Sequence, residues 1–207
     1  RLTRTAAISA SIHAFRSPSV GSRSHTRAPT GRPPRHSGSD ESRNPRPRRY
    51  GEPVTDAFAD LLQANRRYAT SAPRNFDGYA HAGVAVVTCM DSRLQPLEML
   101  GLMLGEAKIL RTPGGHVTED ALNGCILGVN LLRVRRILVV NHTKCAMASG
   151  DDEELARRVG QASGRDASGC EFGGDPDHEA RLRADVKLLA EHPLITGRAT
   201  VGGFRYD

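Results

Sequence analysis

Two kinds of apolar pattern alternate along the second half of this chain. Residues 83–88 (GVAVVT) and 136–140 (RILVV) are nearly continuous apolar runs, the pattern of strands covered on both faces in a parallel sheet. Residues 107–110 (AKIL) read as a further short strand, and residues 201–206 (VGGFRY) as a last strand at the sheet edge. Between these the spacing turns helical. Thr118 is positioned to cap a helix with Glu119 and Asp120 in its first turn and Ala121, Leu122, Cys125, Ile126, Val129 and Leu132 along one stripe. Residues 179–190 carry Leu182, Val186, Leu188 and Leu189 apolar and stop at His192-Pro193. Upstream, Thr55 is the expected cap of a helix reaching Tyr68, with Ala57, Phe58, Leu61, Leu62 and Tyr68 apolar, and a short helix is predicted after Pro96 over residues 97–102. Residues 150–178 are polar and glycine-rich and yield no assignment.

Strands alternating with helices predict an α/β fold: a mainly parallel central β-sheet flanked by helices, with right-handed crossovers. Ligands of such sheets sit outside the carboxyl ends of the strands. The residues following 88 and 140 are therefore the first place to look for chemistry. No apolar run approaches the roughly 18 residues of a membrane span, so no membrane association is expected.

Charge divides the chain unevenly. Residues 1–49 hold eleven Arg, no Lys and two acids, a balance of +9, while the remaining 158 residues hold 18 basic and 21 acidic side chains, or −3. The overall +6 therefore describes the first part, which is rich in Arg, Ser, Pro and Gly and has too few apolar residues to offset the entropy of ordering. We expect residues 1–53 to be a disordered basic tail and residues 54–207 to form the folded domain. Three origins for the tail stay open: upstream sequence from an over-long reading frame, which leads; an organelle-targeting segment; and a nucleic-acid-binding arm, the least favoured. A cytoplasmic location follows if the tail does not direct the protein elsewhere.

The chemistry concentrates in two short stretches. AVVTCMDSR sets Cys89, Asp91 and Arg93 at alternate positions behind the first long strand, and NHTKC sets His142 and Cys145 behind the third. Two sulfurs and one imidazole form a donor set suited to zinc, and three protein ligands leave a fourth position free, as in catalytic rather than closed structural sites. Fifty-two residues separate Cys89 from His142. Only neighbouring parallel strands would bring them together. Cys125 reads as a core residue and Cys170 as an unligated loop thiol. His116 is read as a solvated loop histidine with proton shuttling as the alternative; His81, His178 and His192 show no partner pattern. Gly114-Gly115 reads as a tight turn.

Cys-x-Asp-x-Arg, followed by about fifty residues and then His-x-x-Cys, resembles the β-class carbonic anhydrases, and the likeness extends over about residues 54–207. It includes Arg-x-x-Gly-Gly at 111–115 and Gly-Phe-x-Tyr-Asp at 203–207, and is nearest to a short bacterial, actinobacterial-type branch. The resemblance implies one zinc ion per subunit on Cys89, His142 and Cys145, and an Asp91–Arg93 ion pair. It also implies that Asp91 either joins the metal as a fourth ligand or is held off it by Arg93. The implied reaction is the reversible hydration of carbon dioxide to bicarbonate by zinc-bound hydroxide, in a homodimer or higher homo-oligomer. Thr112, Pro113, Lys144 and Ala146 depart from the residues common at those positions, but none is a ligand. The rival readings are a carbonyl sulfide or carbon disulfide hydrolase on the same zinc site, and a non-catalytic zinc or redox thiol protein.

Overall fold

The computed structural model describes residues 2–4, 57–73 and 77–207. These fall into two compact units. One contains helix α1 (Ala59–Ser71), none of whose residues is buried. The other holds everything from residue 77 onward together with strand β1 (Leu2–Arg4). The expected Thr55 cap and domain start at Val54 lie outside the described residues, and α1 instead begins after Phe58 with no side-chain cap.

The second unit is built on a five-stranded sheet in the order β1-β5-β4-β2-β3, where β2 is Val84–Cys89, β3 Ala107–Thr112, β4 Arg136–His142 and β5 Thr200–Tyr206. β5, β4, β2 and β3 run parallel, and β1 pairs antiparallel with β5. β2 lies between β4 and β3 and is buried along its whole length, as its unbroken apolar run predicts. The β2–β4 ladder ends at Thr88↔Val140. Cys89 therefore leaves this ladder beside Asn141 and His142, so topology closes the fifty-two-residue gap.

Each face of the sheet has its own core. On one side Ala85, Val87, Ile137, Val139 and Val201 meet Ala121, Cys125 and Val129 of α3 (Glu119–Leu131) and Leu182, Val186 and Leu189 of α5 (His178–Glu191). On the other, Val84, Val86 and Val140 pack against Met99, Leu100 and Leu102, around the short α2 (Pro96–Met99), and against Phe204 and Tyr206. Helix α3 starts as predicted, the Thr118 hydroxyl accepting from the Ala121 N–H.

Four features depart from the sequence reading. The unassigned stretch contains helix α4 (Asp152–Ser163), capped by the Asp151 carboxylate accepting from Glu154 N and ended by Gly164 in the left-handed conformation. Helix α2 stops at Met99, because Gly101 turns the chain at φ 65°. β5 is not an edge strand, since β1 lies beyond it. Leu2–Arg4, inside the expected disordered tail, form that covering strand by pairing with β5 backbone.

Candidate metal centre

At the carboxyl ends of β2 and β4, Cys89, His142 and Cys145 converge, all three buried, with one ligand atom from each lying within 4.8 Å of the others. Among the described residues this is the only such group of Cys, His, Asp or Glu. The two sulfurs stand 3.9 Å apart. That is far beyond the roughly 2.05 Å of a disulfide, but it is close to the ~3.8 Å expected of two thiolates at about 2.3 Å from one tetrahedral zinc. The imidazole is preset for ligation. Its Nδ1–H donates to the Thr143 carbonyl at 2.9 Å, which fixes the tautomer and leaves the Nε2 lone pair free. That Nε2 is buried without a protein partner. Burial, and then the adjacent Cys89, push the Cys145 thiol above its ordinary range, so a thiolate there calls for a cation. Donor chemistry, spacing and the unpartnered nitrogen all fit a soft divalent ion.

Asp91 and Arg93 flank this group. Arg93 grips the carboxylate with Nε on Oδ1 at 2.9 Å and Nη2 on Oδ2 at 2.6 Å, and its backbone N–H reaches Oδ1 at 2.9 Å. These side-chain bonds, then the backbone bond, hold the Asp91 carboxyl well below the usual carboxylate range. Asp91 stands outside the three-residue ligand group, occupied by Arg93, although its Oδ2 lies 3.9 Å from His142 Nε2. Arg93 also donates to the Lys144 carbonyl at 3.1 Å. Lys144 adopts φ 56°, a left-handed backbone that a lysine rarely enters. The guanidinium thus ties both ligand-bearing loops together.

The loop from Arg111 to His116 braces the strand end that carries Cys89 and Asp91. Arg111 donates through Nε to the Cys89 carbonyl at 3.0 Å and through Nη2 to the Asp91 carbonyl, and Met90 N–H donates to Thr112 O at 3.0 Å. Gly115, at φ 75°, lies so close that a Cβ there would sit 3.0 Å from both Cys89 N and Val140 O. The tight-turn reading of Gly114-Gly115 holds: Pro113–Gly115 form a short 3-10 segment kinked at Gly114, whose φ is 70°. No role for Arg111 emerges from sequence, because a backbone-directed guanidinium has no spacing signature. His116 overturns its solvated-loop reading: it is 2 % exposed.

A sequence profile described as carbonic anhydrase matches residues 84–162. β-Carbonic anhydrase 1 of Mycobacterium tuberculosis is 30% identical over 155 residues, covering 74% of this chain and 92% of that protein. The chain belongs to the β-carbonic anhydrase family. Its fold agrees: a carbonic anhydrase from Streptococcus mutans superposes with a TM-score of 0.65 at 33% identity, over 72% of this chain and 91% of that one. A carbon disulfide hydrolase of Acidithiobacillus thiooxidans is also similar, 36% identical over 177 residues, covering 73% of this chain and 77% of that protein. Family membership therefore spans relatives named for two reactions. The residues matched by the β-carbonic anhydrase profile include the ligand group, Asp91, Arg93 and the Arg111 brace.

Proposed function

We propose that the protein is a zinc-dependent carbonate dehydratase that interconverts carbon dioxide and bicarbonate. The observation that carries this reading is the Cys89–His142–Cys145 group with an Arg93-held carboxylate 3.9 Å from His142 Nε2. Cys89, His142 and Cys145 are the residues that would hold zinc. Zinc, when bound there, supplies the Lewis acidity that makes water a nucleophile near neutral pH. Asp91, kept ionised, has only acceptor capacity. It would accept a hydrogen bond from the attacking water and orient the lone pair toward the electrophilic carbon. Arg93 occupies both Asp91 oxygens and so keeps the carboxylate from joining the ligand set. An Asp91 released by Arg93 would close the site instead, and the pair would thereby serve both orientation and gating.

The A. thiooxidans relative supports a second reading, hydrolysis of carbon disulfide or carbonyl sulfide, since these offer the same linear, cumulated electrophile. Four free cysteines suit a reducing compartment, in line with a cytoplasmic enzyme. We further infer a homodimer or higher homo-oligomer, an assembly supported by exposed apolar side chains such as Met103, Leu104, Leu127 and Leu131. Stopped-flow measurement of the zinc-loaded protein tests the activity. Carbon dioxide hydration should exceed the buffer rate and fall about 10²-fold in Asp91→Ala, the scale of an orienting group. Hydration no faster than buffer refutes it, and sulfide release from carbon disulfide would then favour the second reading.

A further inference from the structure

Helix α5 carries a buried acid that the chemistry above does not use. Asp185 is 3 % exposed and lies on α5 among the buried Leu182, Val186 and Leu189. A carboxylate so placed requires a partner. Its Oδ1 accepts from Arg181 Nε at 3.3 Å, and its Oδ2 stands 3.5 Å from Nδ1 of His116, an equally buried side chain on the loop that braces Cys89. The His178 ring meets His116 edge-on, with centroids 5.2 Å apart. Burial, and then His116, hold His178 below the ordinary histidine range.

What His116 touches on its own loop connects this pair to the metal centre. Its imidazole occupies the space a side chain on Gly114 would take, a Cβ there falling 2.4 Å from Nε2. Its carbonyl accepts the Thr112 hydroxyl at 2.7 Å. Between these contacts, Gly115 presses on Cys89 N, Thr112 O receives the Met90 N–H, and Arg111 holds the carbonyls of Cys89 and Asp91. Every residue from Cys89 to Asp91 is therefore gripped by a loop whose far end is anchored on α5. The anchor is a contact between two buried polar side chains, 3.5 Å apart, and the brace is made largely of contacts to backbone atoms.

We propose that the buried Asp185–His116 pair positions the metal centre: by fixing the 111–116 loop from α5, it holds Cys89 and Asp91 in the geometry that retains the ion. Asp185 and His116 are positioning residues and touch neither the ligand atoms nor the substrate. The proposal rests on the metal reading of Cys89, His142 and Cys145.

The test uses the full chain loaded with zinc, and in parallel with cobalt(II) as a spectroscopic probe, in wild type, Asp185→Asn, His116→Gln and the double variant. Release of zinc to a chelator should accelerate about tenfold or more in each single variant, the scale on which outer-shell partners act. The double variant should release no faster than the faster single, the non-additivity expected of residues acting as one unit. The cobalt ligand-field bands should shift in all three. Ile195→Val, a fully buried core change near the end of α5, should lower the melting temperature yet leave zinc release and the cobalt bands at wild-type values. Release rates within twofold of wild type, or additive effects in the double variant, overturn the proposal. If Asp185→Asn does not fold, His116→Gln alone decides by the same two readouts. A wild-type protein that retains no zinc overturns the metal reading, and this proposal with it.

Discussion

Gly115→Ala puts a steric load on the junction between the brace and the ligand strand. The new methyl would lie 3.0 Å from Cys89 N, 3.0 Å from Val140 O and 3.1 Å from Thr88 C, all backbone atoms near the end of the central parallel ladder. None is the free end of a side chain, so the strain cannot be relieved by a rotamer change. Holding alanine at φ 75° adds the left-handed penalty, about 1–2 kcal/mol, and overpacking a rigid surface costs about 1–3 kcal/mol. Together these give about 2–5 kcal/mol, or a melting temperature lowered by about 5–20 °C for a chain of this size. Gly164→Ala is the matched control. Its φ is 67°, but nothing lies within 4 Å of the added carbon, so only the backbone penalty applies, about 1–2 kcal/mol. Thermal unfolding of metal-free samples measures the steric difference, and elemental analysis of zinc after dialysis measures its effect on Cys89. Gly115→Ala should be several degrees less stable than Gly164→Ala and should retain less zinc. Equal melting temperatures with equal zinc content would refute the close-packed brace.

Three further outcomes are expected. Arg93→Ala should keep zinc but lower turnover about 10²-fold, because Asp91 loses its bidentate holder and is freed toward the ligand group; unchanged turnover, followed in the same stopped-flow assay, would remove the gating role. Alkylation mapped by mass spectrometry should label exposed Cys170 in the native protein and spare Cys125, whose thiol burial pushes up to about 12, while Cys89 and Cys145 should react only after chelation. Labelling of Cys89 and Cys145 that ignores the chelator would argue against ligation. Glu154 has a folded-state pKa lowered to about 2 by the Arg157 and then the Arg158 side chain, so its contribution to stability is complete above the ordinary 4.5 and is lost as pH falls toward 2. Carboxyl NMR should find its midpoint near 2 and see it return toward 4.5 when both arginines are replaced by alanine.

Helix α4 illustrates why part of the fold escaped the sequence. Its termini are written plainly, with Asp151 as cap, three acids in the first turn and Gly164 at the end, yet only Ala156 is buried. Only Leu155, Ala156, Val159 and Ala162 of its twelve residues are apolar, two of them small, and the surrounding glycines mask the caps. β1 escaped for a different reason. Leu2–Arg4 has no strand pattern of its own, and its pairing is set by the exposed edge of β5. His116 was misplaced because its neighbours on the page are loop residues, while its neighbours in space, His178 and Asp185, lie more than sixty positions downstream.

By itself the sequence determined the order of β2, β3, β4 and β5 with the helices α3 and α5 between them, the parallel sheet, and the three candidate ligands with Asp91 and Arg93 beside them. Each of these follows from local periodicity or from residue types whose chemistry is intrinsic. Tertiary structure alone showed the bidentate geometry in which Arg93 holds Asp91, that Arg111 and Gly115 brace Cys89, and that Asp185 reaches that brace through His116. Those contacts join a strand end to a loop and to a distant helix through backbone atoms and buried charge. Such pairings depend on which elements the sheet brings side by side, and no spacing along the chain encodes them.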